Sequence, residues 1–446
     1  MISDPSLDLV EGDRVELTVG APAHGGHCVA RRDNRVFFVR HALPGERVTA
    51  EITERHKGYL RADAVEILQP SPDRVKPPCP YAHPGGCGGC DLQHVAGDAQ
   101  LRWKEDVVRE QLRRLAGLTD FSVRVEPLPT ATSPSRISGS VDGAAEGTGS
   151  AAPAPDGGRL LGWRSRVRYA VDAAGRPGLL QHRSHQVVPV DRCRIAHAAI
   201  QELDVLTHDW PDAGAIEATA STGGDVAVLI RPAGQGAVPA DDPTDAAAHG
   251  GRVRVSGPAE VTEVAAGREW GVPPEGFWQV HPAAAETLTA TVVELLRPAE
   301  GESAWDLYGG AGLFAAAVAE RTGARTTLVE SSPLGCAAAR ANLADLPTIE
   351  VVEARVETAL QRRRVTGPVD LVVLDPPRAG AGARVVRGIA DARPRAVAYV
   401  ACDPAALARD VATFRDLGWQ LTTLRAFDCF PMTQHVECVA LFEPAE

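Results

Sequence analysis

From Val272 to the C-terminus, short apolar runs of strand character alternate with stretches patterned for helix. SAWDLYG, RTTLVE, VDLVVLDPP, AVAYVA and CVALFE are the strand-like runs, and AAETLTATVVELL is one of the helical stretches. Alternation sustained over this length points to an open, largely parallel sheet with helices on its faces. Residues 266–446 therefore read as a Rossmann-like α/β domain. A sheet of that kind holds its ligands at the carboxyl ends of its strands, and the chemistry-bearing residues are to be sought there.

The first part of the chain has a different rhythm. Between Glu11 and Leu68, RVELTVG, CVARRD, RVFFVR, RVTAEITER and LRADAVEIL are short strands divided by the turn residues AHGGH, DN and LPGE. Five short strands in so little chain suggest a small closed barrel over residues 1–70, as in an oligonucleotide-binding fold, or another small β-domain. Residues 71–265 read as a central α+β region. It opens with a Pro-rich connector and a helix from about Ala99 to Ala116. In that helix Leu101, Val108, Leu112 and Leu115 form an apolar stripe, and Glu105 with Arg109 is an i,i+4 pair. RSRVRYAVDA, HQVVPV and GDVAVLIRPA suggest an antiparallel sheet. Residues of about 130–158 are a low-complexity Ala/Gly/Ser/Pro stretch, read as a disordered insertion. A second loose stretch runs from Ala233 to Gly251.

A length of 446 residues accommodates this multidomain α/β plan. The 46 Lys+Arg against 58 Asp+Glu exclude a protein that coats nucleic acid by bulk charge, but leave room for a local basic groove. Residues 159–194 carry eight Arg against two Asp: either a solvated sheet face or a phosphate-contacting surface. No apolar run is long enough to cross a bilayer, and the polar start MISDPSLDLVEGDR is no secretory signal, so a cytoplasmic location is expected. Nine unevenly placed Cys in such a protein favour metal binding or catalysis over disulfides.

The cofactor signal lies in AWDLYGGAGLFAAAVAERTGARTTLVESSP. A strand runs into Gly309, Gly310 and Gly312, a helix follows, and a second strand ends at Glu330, an acid suited to a ribose diol. The spacing is not the strict G-x-G-x-x-G. It is similar to the D-x-x-x-G-x-G pattern of S-adenosylmethionine methyltransferases. In VDLVVLDPPRAG, Asp375 ends an apolar strand before two stiffening prolines, and D/N-P-P motifs occur in several nucleic-acid base methyltransferases. Cys402, in YVACDPAALARD, stands past a strand and before a helix: inert packing or a thiolate nucleophile. In FDCFPMTQHVECVALF, Glu437 sits in an otherwise apolar strand, where it needs a function or an ion-pair partner. Cys79, Cys87 and Cys90 cluster in CPYAHPGGCGGC, and Cys193 is the best candidate for a fourth ligand, of zinc or of an iron–sulfur cluster. The spacing is not the C-x3-C-x2-C of radical enzymes.

Taken together, these motifs resemble the RNA uridine-5-C-methyltransferase family, which acts on transfer RNA or large-subunit ribosomal RNA. AHGGHCVARRDNRVFFVRHALPGERV resembles a TRAM domain and CGGCDLQH the family's iron–sulfur segment. DPPRAG, YVACDP and FDCFPMTQHVE stand in the family's order. The resemblance implies S-adenosyl-L-methionine as methyl donor and Gln279, Tyr308, Glu330 and Asp375 as cofactor-binding residues. It also implies a 4Fe-4S cluster on Cys79, Cys87, Cys90 and Cys193. Cys402 would add to C6 of uracil so that C5 becomes nucleophilic, and Glu437 would then remove the C5 proton. The target uridine must be unpaired or flipped out, with 23S ribosomal RNA expected before transfer RNA. A monomer is expected. The chain departs from the family at Ala401 and Asp403 around the nucleophile, at Met432 and at His281. Its first cluster spacing is two residues longer than usual. Two other readings remain open at this stage: a methyltransferase acting on an exocyclic amine, which needs no nucleophilic Cys, and a non-catalytic RNA-binding assembly factor.

Overall fold

A computed structural model describes residues 9–129, 158–234 and 251–445. The low-complexity insertion, apart from Gly158, and residues 235–250 of the second loose stretch lie outside the described residues. Five strands, β1 (Arg14–Ala23), β2 (His27–Arg32), β3 (Arg35–Arg40), β4 (Arg47–Arg55) and β5 (Leu60–Gln69), close a barrel in the order β1-β2-β3-β5-β4. Alternation builds it: Val15, Leu17 and Val19 point inward from β1, and Val48, Ala50 and Ile52 from β4. The β2–β3 turn is Asp33-Asn34, both at positive φ (50° and 61°), the backbone that a two-residue hairpin requires.

Helix α1 (Gly97–Ala116) and strand β6 (Val125–Pro127) follow. A six-stranded antiparallel sheet then forms from β7 (Arg166–Val171), β8 (Pro177–Leu180), β9 (Val187–Pro189), β10 (Ala213–Ala220), β11 (Val226–Pro232) and β12 (Val253–Ser256), in the order β12-β11-β10-β7-β8-β9. The four-residue helix α2 (Ala198–Gln201) lies between β9 and β10. Strand β10 escapes a propensity reading because AGAIEATA is small and weakly β-forming. It is nonetheless a central strand, since small side chains fit between β7 and β11.

The C-terminal region opens with the hairpin β13 (Val261–Ala265) and β14 (Arg268–Val272) and helix α3 (Ala284–Leu296). Alternation follows: β15 (Ala304–Leu307), α4 (Leu313–Thr322), β16 (Thr326–Glu330), α5 (Pro333–Asn342), β17 (Ile349–Glu353), α6 (Val356–Gln361), β18 (Leu371–Leu374), α7 (Gly382–Ala392), β19 (Ala396–Ala401), α8 (Pro404–Asp416), β20 (Trp419–Asp428) and β21 (Glu437–Pro444). The sheet order is β17-β16-β15-β18-β19-β21-β20-β6, parallel through β19, with β21 antiparallel to both its neighbours. The order reverses between β15 and β18, the switch point at which such sheets open a crevice.

Residues 97–127, assigned by sequence to the central region, complete this sheet instead. β6 pairs with β20, and Val108, Leu112 and Ala116 of α1 share a core with Val411 and Phe414 of α8. Glu105 does not pair with Arg109. Its carboxylate accepts the Val125 N–H (3.0 Å), while Arg109 turns to Asp106 (2.6 Å). The apolar stripe of α1 also ends earlier than its spacing suggests, because Leu115 is exposed. Among the described residues no helix is long and apolar enough to cross a membrane.

Candidate active site

A cleft of about 1250 Å³ opens at the switch point and runs towards the central sheet. Gln279, Tyr308, Glu330, Asp375, Cys402 and Glu437, the six residues expected at the chemistry, all line it. Tyr308, Asp375 and Cys402 each follow the last residue of a parallel strand, and Glu330 ends one. The sheet therefore delivers four of the expected side chains to one edge without any loop having to search for them.

The glycine turn works by close approach. Gly312 has φ +99°, and a Cβ there would lie 2.6 Å from Leu343 Cδ1, so α4 starts where a side chain has no room. Tyr308 is a non-glycine residue at φ +65°. Glu330 accepts from the backbone N–H groups of Ser331 and Ser332 through Oε1 (2.6 Å each) and of Gly310 through Oε2 (3.0 Å). The carboxylate thus ties the turn after β15 to the end of β16. A carboxylate has about four acceptor sites, so it keeps capacity for a ligand hydroxyl.

Negative groups crowd the far end. Burial pushes the Cys402 thiol well up, and Glu437 and Asp375 push it further; Arg378 opposes them. Burial, then Asp375, raises the Glu437 carboxyl well above the usual range, again against Arg378. Asp375 is pushed up to about 7, by burial first and Glu330 second. Asp306, behind the glycine turn, also reaches about 7 through burial and then repulsion from Asp375 and Glu330. Arg378, in the lining of the same cleft, was not singled out by sequence reasoning. It stands in the quoted DPPRAG motif, but no spacing argument distinguishes it from a solvated Arg.

The turn between β20 and β21 lies at the same edge of the sheet as the strand ends, because β21 runs antiparallel to β19 with Cys438 beside Ala401, and its Phe430, Thr433 and His435 line the cleft. Burial lowers His435 to about 3, and Arg378 is the next cause, so the imidazole is neutral. The departures fall around this site. Asp403 caps α8 by accepting the Ala406 N–H (2.7 Å), and its other oxygen meets His24 Nε2 of the barrel (2.9 Å). Met432 adopts φ +67°. His281 stacks on Trp163 (centroids 5.9 Å apart, planes at 19°) and accepts the Ala283 N–H (3.2 Å).

Cys79, Cys87, Cys90 and Cys193 line a second, smaller cavity of about 310 Å³. The expected metal centre is not borne out as a compact ligand group: among the described residues no three or more His, Cys, Asp or Glu are arranged to hold a metal ion. The thiols are near enough to influence one another: after burial, Cys193 and Cys79 push Cys87 up, and Cys193 and Cys87 push Cys90 up. Burial, the largest cause, pushes Cys87 up to about 11. All nine cysteines are free.

The Arg-rich stretch is less available than its charge suggests. Arg166 donates to the carbonyls of Pro274 (3.0 Å) and Gly276 (2.6 Å). Arg176 pairs with Asp172 (2.8 Å), Arg183 with Glu54 (3.6 Å) and Arg168 with Glu217 (3.8 Å). Arg164 lines both cavities. Carboxylates from distant segments, invisible to a local charge count, neutralise part of the positive face.

Two family descriptions match the chain: TRAM domain over residues 9–65 and tRNA (Uracil-5-)-methyltransferase over residues 271–444. An RNA methyltransferase of Streptomyces avermitilis is 48% identical over 97% of this chain and 99% of its own length. One from Streptomyces coelicolor is 47% identical over 100% and 95%. The crystal structure of the Pyrococcus abyssi tRNA (uracil-54, C5)-methyltransferase in complex with S-adenosyl-L-homocysteine superposes with a TM-score of 0.67 at 22% identity. The superposition covers 96% of this chain and 100% of that one, and at this identity it speaks for the fold.

Proposed function

The chain belongs to the tRNA (uracil-5-)-methyltransferase family of RNA methyltransferases, and on that premise we propose that it methylates C5 of a uridine in structured RNA through a covalent adduct on Cys402. The observation that carries this reading is the meeting of Cys402 and Glu437 in one cleft, both facing Asp375 and Arg378. An exocyclic-amine methyltransferase has no use for that thiol.

S-adenosylmethionine, when bound, supplies the electrophilic methyl group. The glycine turn and Glu330 fit its nucleoside, since the backbone approaches closely and the carboxylate retains acceptor capacity. Gln279, Tyr308 and Asp375 complete that end of the cleft. At the other end the Cys402 thiolate forms a bond to uracil C6, and the C5–C6 electron pair becomes available at C5. C5 takes the methyl group. Glu437 accepts the C5 proton, the electron pair re-forms the double bond, and the C6–S bond breaks to return the thiolate. Arg378 offsets the negative charge that accumulates on Cys402 and Glu437. Burial first and repulsion from Asp375 second raise Glu437. Positive charge arriving with the methyl donor lowers Glu437, and Cys402 with it, towards the ionised forms that a base and a nucleophile require, the thiol proton passing to solvent.

Large-subunit ribosomal RNA is the first substrate to test and transfer RNA the second, with the barrel and the Arg-bearing central sheet holding the flanking RNA. Mapping 5-methyluridine in both RNAs from a deletion strain and its parent identifies the target; an unchanged map in both overturns the reading. On a denaturing gel with labelled target RNA, Cys402→Ala should give neither product nor adduct. Glu437→Gln should accumulate a methylated protein–RNA adduct. Full turnover by Cys402→Ala would return the exocyclic amine as acceptor.

The four thiols also form part of this proposal, as ligands of one iron–sulfur cluster. An all-sulfur donor set around one cavity fits such a group. Protein purified without oxygen should contain iron and sulfide; stoichiometric zinc without sulfide would refute it.

A further inference from the structure

The turn that leads into Glu437 is held by segments far from it in the chain. Its conformation needs such support, because Met432 sits at φ +67°, a region costly for a non-glycine side chain. The Met432 N–H donates to Gln100 Oε1 (2.9 Å) and the Met432 carbonyl accepts from the Leu92 N–H (2.9 Å). Gln100 is fully buried, and its Nε2 donates to the carbonyls of Val95 (2.9 Å) and Leu92 (3.3 Å), so one amide links the segment after the cysteines to the turn. The Gln434 N–H donates to Asp91 Oδ2 (3.3 Å), while Asp91 Oδ1 accepts from Arg40 of the barrel (3.1 Å). Gly25, in the barrel's first turn, donates to Gln434 Oε1 (3.2 Å). Asp91 has no slack, since a Cβ on Gly26 would come within 2.9 Å of its side chain.

We infer that Asp91, directly after Cys90, is a positioning residue for Glu437, and that the cysteine segment and the barrel shape the turn from which the base is presented. The inference rests on the reading of Glu437 as the base. Three parts of the chain converge on Met432 and Gln434, two residues of a turn that would otherwise be free to relax. Asp91 itself contacts Gln434 and Arg40, whereas the Cys402 side of the cleft is tied to the barrel separately, by His24 with Asp403 (2.9 Å). Loss of Asp91 should therefore slow the step that Glu437 performs and spare the step that Cys402 performs.

Two RNAs separate those steps in the full-length protein. A target transcript carrying 5-fluorouridine traps the adduct after methyl transfer, because C5 then has no proton to lose; it reports adduct formation. The uridine transcript reports adduct resolution. With Asp91→Ala, formation on the fluorinated RNA should stay within about two-fold of the parent protein, while resolution on uridine RNA slows about ten-fold and adduct accumulates. Asp91→Asn keeps an acceptor oxygen and should recover part of the loss. Equal slowing of both steps, or no change in either, overturns the proposal. If Asp91→Ala does not fold, Asp91→Asn decides: a selective slowing of resolution supports positioning, and parental kinetics reduce Asp91 to a folding residue. Glu437→Gln runs beside them. If it traps no adduct, the base assignment itself fails; if it traps adduct while the Asp91 variants do not, only the positioning role fails.

Discussion

Along one wall of the cleft, Tyr308, Glu330, Asp375 and Cys402 stand at the ends of four parallel strands whose pairing fixes them. The β20–β21 turn beside them, Phe430 to Gln434, takes its shape from Gly25, Asp91, Leu92, Gln100 and Lys104, all more than 300 residues away in the chain. A wall made of strand ends tolerates a changed side chain, because its backbone is held by a ladder that ignores side-chain identity. A turn made of borrowed contacts has no such reserve. Chemistry should therefore be separable from stability on the first wall and entangled with it on the second.

The sharpest separation is expected at Cys402. Cys402→Ala should lower methylation by at least about a thousand-fold with little change in the melting temperature, measured side by side on the same preparation. A large loss of stability would mean that the strand-end wall is not self-supporting.

Lys104 tests the other wall. Its ammonium is fully buried, 2.5 Å from Asp428 Oδ1 and 3.0 Å from the Phe430 carbonyl. Lys104→Ala leaves Asp428 buried without its cation and should cost about 3–5 kcal/mol in chemical denaturation. Activity should fall as well, because the same lysine holds the start of the turn. A stable Lys104→Ala protein would show that the turn keeps its shape unaided.

A third test uses pH. Asp306 is raised in the folded protein to about 7 from an ordinary value of 3.8, so the folded state binds its proton more tightly than the unfolded one. Its contribution to stability is therefore full at acidic pH, declines between about pH 4 and 7, and is level above that. Asp306→Asn should flatten this part of the stability profile. If the profiles of parent and variant run parallel, the buried carboxyl behind the glycine turn is ionised throughout.

The smallest effect concerns RNA affinity. Arg164 lines the cleft, whereas Arg166 spends its guanidinium on backbone carbonyls. Arg164→Ala should reduce the salt dependence of RNA binding by about one counterion. Arg166→Ala should act on stability and leave that slope unchanged. The opposite pattern would mean that Arg166 leaves its carbonyls when RNA binds.

How much could be read in advance differs between the same two walls. The barrel strands were legible because alternation and an Asp-Asn turn encode a hairpin within a few residues. Glu330, Asp375 and Cys402 were legible because each stands at or just past the end of an apolar run, whereas Tyr308 came only with the family resemblance. β10 was not legible, since its alanines carry no β signal and are needed for the space they leave. Arg378 was passed over because its partners, Cys402 and Glu437, lie beyond any local window. The Glu105–Arg109 pair was misread because the strand that captures Glu105 lies outside the helix.

By itself, the sequence determined the local elements, the α/β character of the C-terminal region and the side chains delivered to the strand ends, since periodicity and turn chemistry act over a few residues. The tertiary structure alone decided that α1 and β6 belong to the catalytic sheet, that much of the Arg-rich face is neutralised, and that the turn before Glu437 is held by the barrel and the cysteine segment. Those outcomes depend on hydrogen bonds and ion pairs between groups hundreds of residues apart, whose partners are chosen by packing and leave no pattern in the order of the amino acids.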